Sequence, residues 1–228
     1  MATIAANIQQ VHQRIASACA AAQRPVQSVT LLTVSKTFSA DVVRVAHAAG
    51  ERRFGENYVQ EALDKITALS DLRAQIEWHL IGPLQSNKTR VVAQHFDWVH
   101  SVDRLKIAER LGEQRPQGLS PLNVCLQVNV SGEASKSGVA PDELPALAHA
   151  VAALPGLRLR GLMSIPEPAD DPAQQAAPHR LLRQLFEQLT RGGLTLDTHS
   201  MGMSGDLEAA VAEGATLVRV GTAIFGNR

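Results

Sequence analysis

The sequence predicts an α/β protein in which eight parallel strands close into one (β/α)8 barrel. Three observations carry that expectation. Eight short runs rich in Val, Leu and Ile recur along the chain. Segments of helical spacing separate them, and strands that alternate with helices pair in parallel. The 228 residues are close to the roughly 250 that such a barrel takes as one domain. An open, doubly wound sheet is the alternative fold.

In chain order, residues 1–22 are Ala-rich and read as an N-terminal helix from 3 to 22. The strands are expected at 28–35, 53–57, 76–81, 97–102, 123–130, 158–164, 196–201 and 216–221. The helices are expected at 40–49, 58–69, 86–95, 103–113, 141–153, 178–191 and 206–213. Gly50, Gly156, Gly192 and Gly214 follow helical runs, where a left-handed residue ends a helix. Ser39, Ser86 and Asp103 precede helical runs, as N-caps do. Too few residues follow the eighth strand for a full helix, so the N-terminal helix is expected to cover part of that gap. The longest strand-to-helix connections, 131–140 and 165–177, fall on the C-terminal face, where barrel sites are built. The second holds Pro166, Glu167, Pro168, Asp170, Asp171 and Pro172, and suits either a lid or a solvated loop.

Composition narrows the function. Twenty-two basic and twenty-two acidic residues cancel, leaving no field to attract nucleic acid or an anionic membrane. No apolar stretch approaches the ~20 residues of a membrane span, and the first residues lack the basic and apolar regions of a signal peptide. Cys19 and Cys125 stand far apart, as buried, reduced thiols of a cytoplasmic protein would. Eight histidines form no metal-binding spacing, so no metal site is expected.

The residues that could carry chemistry lie at strand ends. Lys36 closes the apolar run that begins at Val29. Alternation groups it with Thr30, Leu32 and Val34 on one face. If that face points inward the ammonium loses water, which favours the neutral amine that attacks an aldehyde. Otherwise it is a lysine snorkelling to solvent. Arg219 sits inside the last strand, and an inward guanidinium needs a partner. That partner is either a carboxylate such as Glu56 or a ring nitrogen. Barrels often bind phosphate between the loops after strands seven and eight. Here those loops are 199–205 and 221–226, which offer Ser200, Met201, Ser204, Gly221 and Thr222. Asp206 would repel a phosphate near Ser204, so Ser200, Gly221 and Thr222 are the expected contacts and Ser204 is read as an N-cap. Asn57, His79 and Ser164 stand at other strand ends. Lys136 lies on the loop after strand five. A lysine after strand one and a phosphate cradle after strand eight suit pyridoxal 5′-phosphate (PLP) held as an imine.

The motifs are long and in order: Val34–Thr37, Phe54–Glu61, Trp78–Lys88, Ser200–Ser204 and Val218–Gly226. They resemble the YggS/PROSC family of PLP homeostasis proteins. The resemblance implies Lys36 as the Schiff-base lysine and Arg219 beside the pyridine nitrogen. It implies Ser200, Gly221 and Thr222 as phosphate contacts and Asn57 in the ring pocket. The implied fold is the alanine racemase barrel, PLP fold type III, without the C-terminal β-domain. Ser164 stands where many members have alanine. Members are described as cytoplasmic, often monomeric and without demonstrated catalysis, buffering PLP or delivering it to apo-enzymes, with effects on amino- and keto-acid balance. A PLP-dependent racemase or lyase is the enzymatic alternative, but racemisation needs a second base and the chain has one tyrosine, Tyr58. A cofactor-free, lysine-dependent aldolase is a third possibility.

Overall fold

The computed structural model describes residues 3–132 and 137–226. Eight strands pair in parallel in chain order, and the last returns to the first. They are β1 Thr30–Val34, β2 Arg53–Glu56, β3 Glu77–Leu80, β4 Trp98–Val102, β5 Leu122–Gln127, β6 Leu157–Met163, β7 Thr198–Ser200 and β8 Leu217–Val220. Closure leaves no strand edge unpaired and excludes the open sheet. The helices are α1 Ile4–Ala21, α2 Ala40–Ala48, α3 Val59–Ala68, α4 Thr89–His95, α5 Leu105–Gln114, α6 Leu144–Ala152, α7 Pro172–Arg191, α8 Leu207–Ala212 and α9 Thr222–Phe225.

Alternation along each strand divides two cores. Inside the barrel, Leu32, Val34, Ile81 and Leu217 pack together, as do Trp98, Cys125 and Met163. The other face supplies Phe54, Trp78, Leu80, Val124, Leu162 and Val218 to the larger layer beneath the helices. Burying one such side chain stabilises the fold by about 1.5–3 kcal/mol, so the helical layer is the main source of stability.

The short C-terminal segment is covered as expected. α9 is a single turn, and α1 packs its buried face of Ile8, Val11, Ile15 and Cys19 beside α8 and α9. Asn7 donates to the Ile224 carbonyl at 2.7 Å. Arg24 reaches the carbonyls of Val211 and Ala215 at 2.6 and 2.7 Å. Both cysteines are free and fully buried. Burial pushes the Cys125 thiol up to about 12.

Several local expectations need correction, among them Ser86, which opens a short 3-10 turn while the cap position of α4 is Lys88. Helix α7 starts at Pro172, within the stretch read as loop, because Asp171 accepts from the Gln174 amide at 2.9 Å and Pro172 needs no amide partner in the first turn. Pro178, read as the helix start, lies inside it. The left-handed residue after α7 is Gly193 at φ 98°, not Gly192, while Gly50, Gly156 and Gly214 take positive φ as expected. Asp103 lies one residue short of the Arg104 cap position of α5 and pairs with Arg104 instead. Strand β7 has three residues; Met201 follows it with its amide still donating to the Leu217 carbonyl at 3.1 Å and its side chain in the helical core.

Candidate functional site

The C-terminal ends of the strands surround a cavity of about 770 Å³. Its wall includes Val34, Lys36, Asn57, Ile81, Ile165, Ser204, Gly205, Arg219, Gly221 and Thr222. Of the residues singled out above, Lys36, Asn57, Arg219, Gly221 and Thr222 therefore face one space. His79, Ser164, Ser200 and Met201 do not line it. Lys136 lies outside the described residues.

Adjacent strands bring the two chemical ends together. β1 and β8 pair from Thr30 opposite Leu217 to Thr33 opposite Val220. Lys36 and Gly221 thus leave neighbouring strands at the same rim. A Cβ at Gly221 would stand 2.9 Å from the Val34 carbonyl, so only glycine allows the two loops to come this close. Lys36 is half-buried there.

Arg219 forms the floor. It is 3% exposed, and burial lowers its pKa to about 10, which leaves it cationic at neutral pH. Glu56 is not its partner, since that carboxylate binds Lys65. One guanidinium nitrogen instead donates to the Ser200 carbonyl and hydroxyl at 2.6 and 2.9 Å, and the other to the Ser164 carbonyl at 2.7 Å. The chain of contacts continues downward. Ser200 Oγ lies 2.7 Å from His100 Nδ1, His100 Nε2 lies 2.9 Å from His79 Nδ1, and His79 Nε2 lies 2.9 Å from a Glu77 carboxylate oxygen.

A guanidinium only donates, so Ser200 Oγ accepts from Arg219; its own proton is satisfied in this contact set when it turns to His100 Nδ1. The proton of His100 is then on Nε2, and that of His79 is also on Nε2, pointing to Glu77. Both rings are neutral in this arrangement. Burial lowers the pKa of His79, with Glu77 opposing, and lowers that of His100 further. Burial disfavours the Glu77 charge, but the contacts from His79 and Arg53 outweigh it and hold the carboxyl below its usual range.

Ser200 is therefore a prop for Arg219, and Ser204 joins Thr222 on the cavity wall. Sequence reasoning missed Ser204, having assigned it to a cap. The cap position of α8 is Asp206. Asp206 is turned from the cavity: one oxygen accepts from the Met203 amide at 2.6 Å and the other meets His179 at 2.9 Å. Burial works against its charge, but these contacts prevail and lower its pKa. Ser204 Oγ accepts from the Ala223 amide, tying the two rim loops together.

The residues present suit PLP. Lys36 offers an amine to an aldehyde, and Ser204 and Thr222 offer hydroxyls to a phosphate. Arg219 offers a cationic donor to a ring nitrogen. Asn57 lines the wall with a buried side-chain oxygen that has no protein partner among the described residues, as a ligand-facing group would.

Known proteins agree with this geometry. The family profile described as alanine racemase, N-terminal domain, matches residues 1–228. A pyridoxal phosphate homeostasis protein of Pseudomonas aeruginosa is 65% identical over 228 residues, covering 100% of this chain and 97% of the relative. The structure of PipY from Synechococcus elongatus, solved with PLP bound, matches with a TM-score of 0.82 at 42% identity, covering 93% of this chain and 100% of PipY. An alanine racemase of Corynebacterium glutamicum shares the fold at a TM-score of 0.75 and 19% identity, covering 99% of this chain and 61% of that one. The chain belongs to the alanine racemase N-terminal domain family, among its pyridoxal phosphate homeostasis proteins.

Proposed function

We propose that this protein binds PLP as a Schiff base on Lys36 and serves intracellular PLP homeostasis, buffering or delivering the cofactor and so influencing amino- and keto-acid balance. The observation that carries this reading is the single cavity onto which Lys36, Asn57, Ser204, Thr222 and Arg219 all open. When bound, PLP supplies a reversible aldehyde and an electron-withdrawing ring. Each residue has a separate task. The Lys36 amine holds the aldehyde carbon, and Ser204, Gly221 and Thr222 hold the phosphate. Asn57 orients the ring face. Arg219, fixed from below, donates to the ring nitrogen and keeps that nitrogen without a proton.

That last choice favours a carrier over a racemase or lyase. A ring nitrogen facing a permanent donor is a weaker electron sink than one facing an aspartate. Tyr58 is 56% exposed and does not line the cavity, so it is poorly placed as a second base. No helix among the described residues is long and apolar enough to cross a membrane. Within this reading the protein acts in the cytoplasm as a monomer, with PLP-dependent apo-enzymes as recipients.

The test is spectroscopic. Protein mixed with PLP should show the visible imine band, and borohydride should fix a PLP mass on Lys36. Lys36→Ala should lose the band while retaining weak binding through the phosphate contacts. Absence of any band in the native protein would overturn the reading. Deuterium exchange at the α-carbon of an amino acid would instead favour the enzymatic alternative.

A further inference from the structure

We propose that Lys65 is a positioning residue for Lys36, acting through a buried charge cluster that grips both of its backbone neighbours. The inference rests on the function proposed above. Lys65 sits on α3 and is 4% exposed, an unusual place for an ammonium. It donates to both oxygens of Glu56 at 2.7 and 2.9 Å and to Glu61 at 2.6 Å. Its remaining contact is the Ser35 carbonyl at 2.7 Å. Glu56, fully buried at the end of β2, accepts from the Ser35 hydroxyl at 2.6 Å. Glu61 accepts from the Thr37 amide.

The residue before Lys36 is thus held by its carbonyl and its hydroxyl, and the residue after it by its amide. Thr37 needs this grip. Its φ is +65°, a left-handed conformation that a β-branched residue adopts only when its surroundings enforce it. The cluster spans three elements: the β1 exit loop, the β2 end and α3. It faces away from the cavity, since none of Ser35, Glu56, Glu61 or Lys65 lines that space. A merely structural ion pair would need only one carboxylate; this one has two, and each also holds one neighbour of the imine lysine.

The consequence is geometric. Imine formation joins Lys36 Nζ to the aldehyde carbon and releases one water, so the amine must approach along one direction. A clamped backbone confines that approach without contributing to the phosphate or ring contacts. Loss of the clamp should weaken the covalent step and spare the rest of binding.

The experiment compares two ligands: PLP, and 4′-deoxypyridoxine 5′-phosphate, in which a methyl group replaces the aldehyde. Glu61→Gln removes the charged grip on Thr37 at a half-exposed site, where folding should survive. Lys65→Met combined with Glu56→Gln removes the buried ion pair that holds Ser35 without stranding a buried charge. Both should raise the Kd for PLP about tenfold, as expected for a displaced reacting group, and weaken the imine band, while affinity for the deoxy ligand stays within about twofold of native. Equal losses for both ligands, or unchanged affinity for both, would overturn the proposal. If the double variant fails to fold, Glu61→Gln alone decides. A native protein that forms no imine would sink the function proposed above, whereas a native imine with unaltered variants would sink only this inference.

Discussion

At the scale of single residues, Ser200 and Thr222 show how two similar hydroxyls take different work. Ser200 is fully buried, receives Arg219 and meets His100. Ser200→Ala leaves an imidazole nitrogen and a guanidinium proton without a partner, which costs about 1–3 kcal/mol. Urea unfolding should register that loss. Thr222 is exposed at the rim, so Thr222→Ala should change stability by no more than about 0.5 kcal/mol. It should nonetheless weaken PLP binding severalfold, as read by titration of the imine band. The opposite pattern would exchange their roles. Cys125 makes a third case. With its thiol raised to about 12 by burial, it should resist thiol reagents in the native state and react only after unfolding.

At the scale of elements, sequence and structure diverge where direction or depth matters. The strands were legible because buried parallel strands are near-continuous apolar runs. The start of α7 was not, since Pro172 and Pro178 resemble loop punctuation and only the Asp171 cap decides between the two. Asp171→Ala should cost about 1 kcal/mol, visible as a lower thermal midpoint. Alternation set Arg219 on the face opposite Val218 and Val220, and the structure turns that face inward. Alternation could not show that Ser200 lies level with His100 rather than at the rim, because relative depth depends on strand stagger around the barrel. For the same reason His100 was not singled out, whereas Ser204 was passed over because the nearby Asp206 charge, which the structure turns toward Met203 and His179, looked hostile to a phosphate. Lys36, Asn57, Gly221 and Thr222 were legible because each follows the C-terminal end of a strand. α1 was legible as a cover for the last segment, and its buried Ile15 gives a test. Ile15→Ala should cost about 2–5 kcal/mol, and removal of residues 1–22 should leave a chain that no longer unfolds cooperatively.

At the scale of the whole molecule, histidines that lose water on folding set the response to pH. His47, His79, His100 and His199 all have lowered pKa values, burial being the first cause of each. The unfolded chain binds protons at these rings near the ordinary value of about 6.5, while the native state resists. Stability contributed by keeping them neutral is therefore lost as pH falls through and below that value. His12 opposes this, because its hydrogen bond to Glu51 raises its pKa. Glu56 does too, raised by burial despite Lys65; both groups favour the folded state at lower pH. More of these groups pull toward loss than toward gain as pH falls, which sets the sign expected here. The urea midpoint should fall between pH 7.5 and 5.5, and a flat or rising midpoint would contradict this balance.

The cavity straddles the join between β1 and β8. On the proposed function, a molecule bonded to Lys36 and cradled by Thr222 would lash the first strand of the chain to its last. Loading with PLP would then report on a finished ring: a nascent chain that has made seven strands has Lys36 but lacks Thr222. Cofactor uptake should accordingly trail the final stitch of folding, and a loaded protein should open last at this seam.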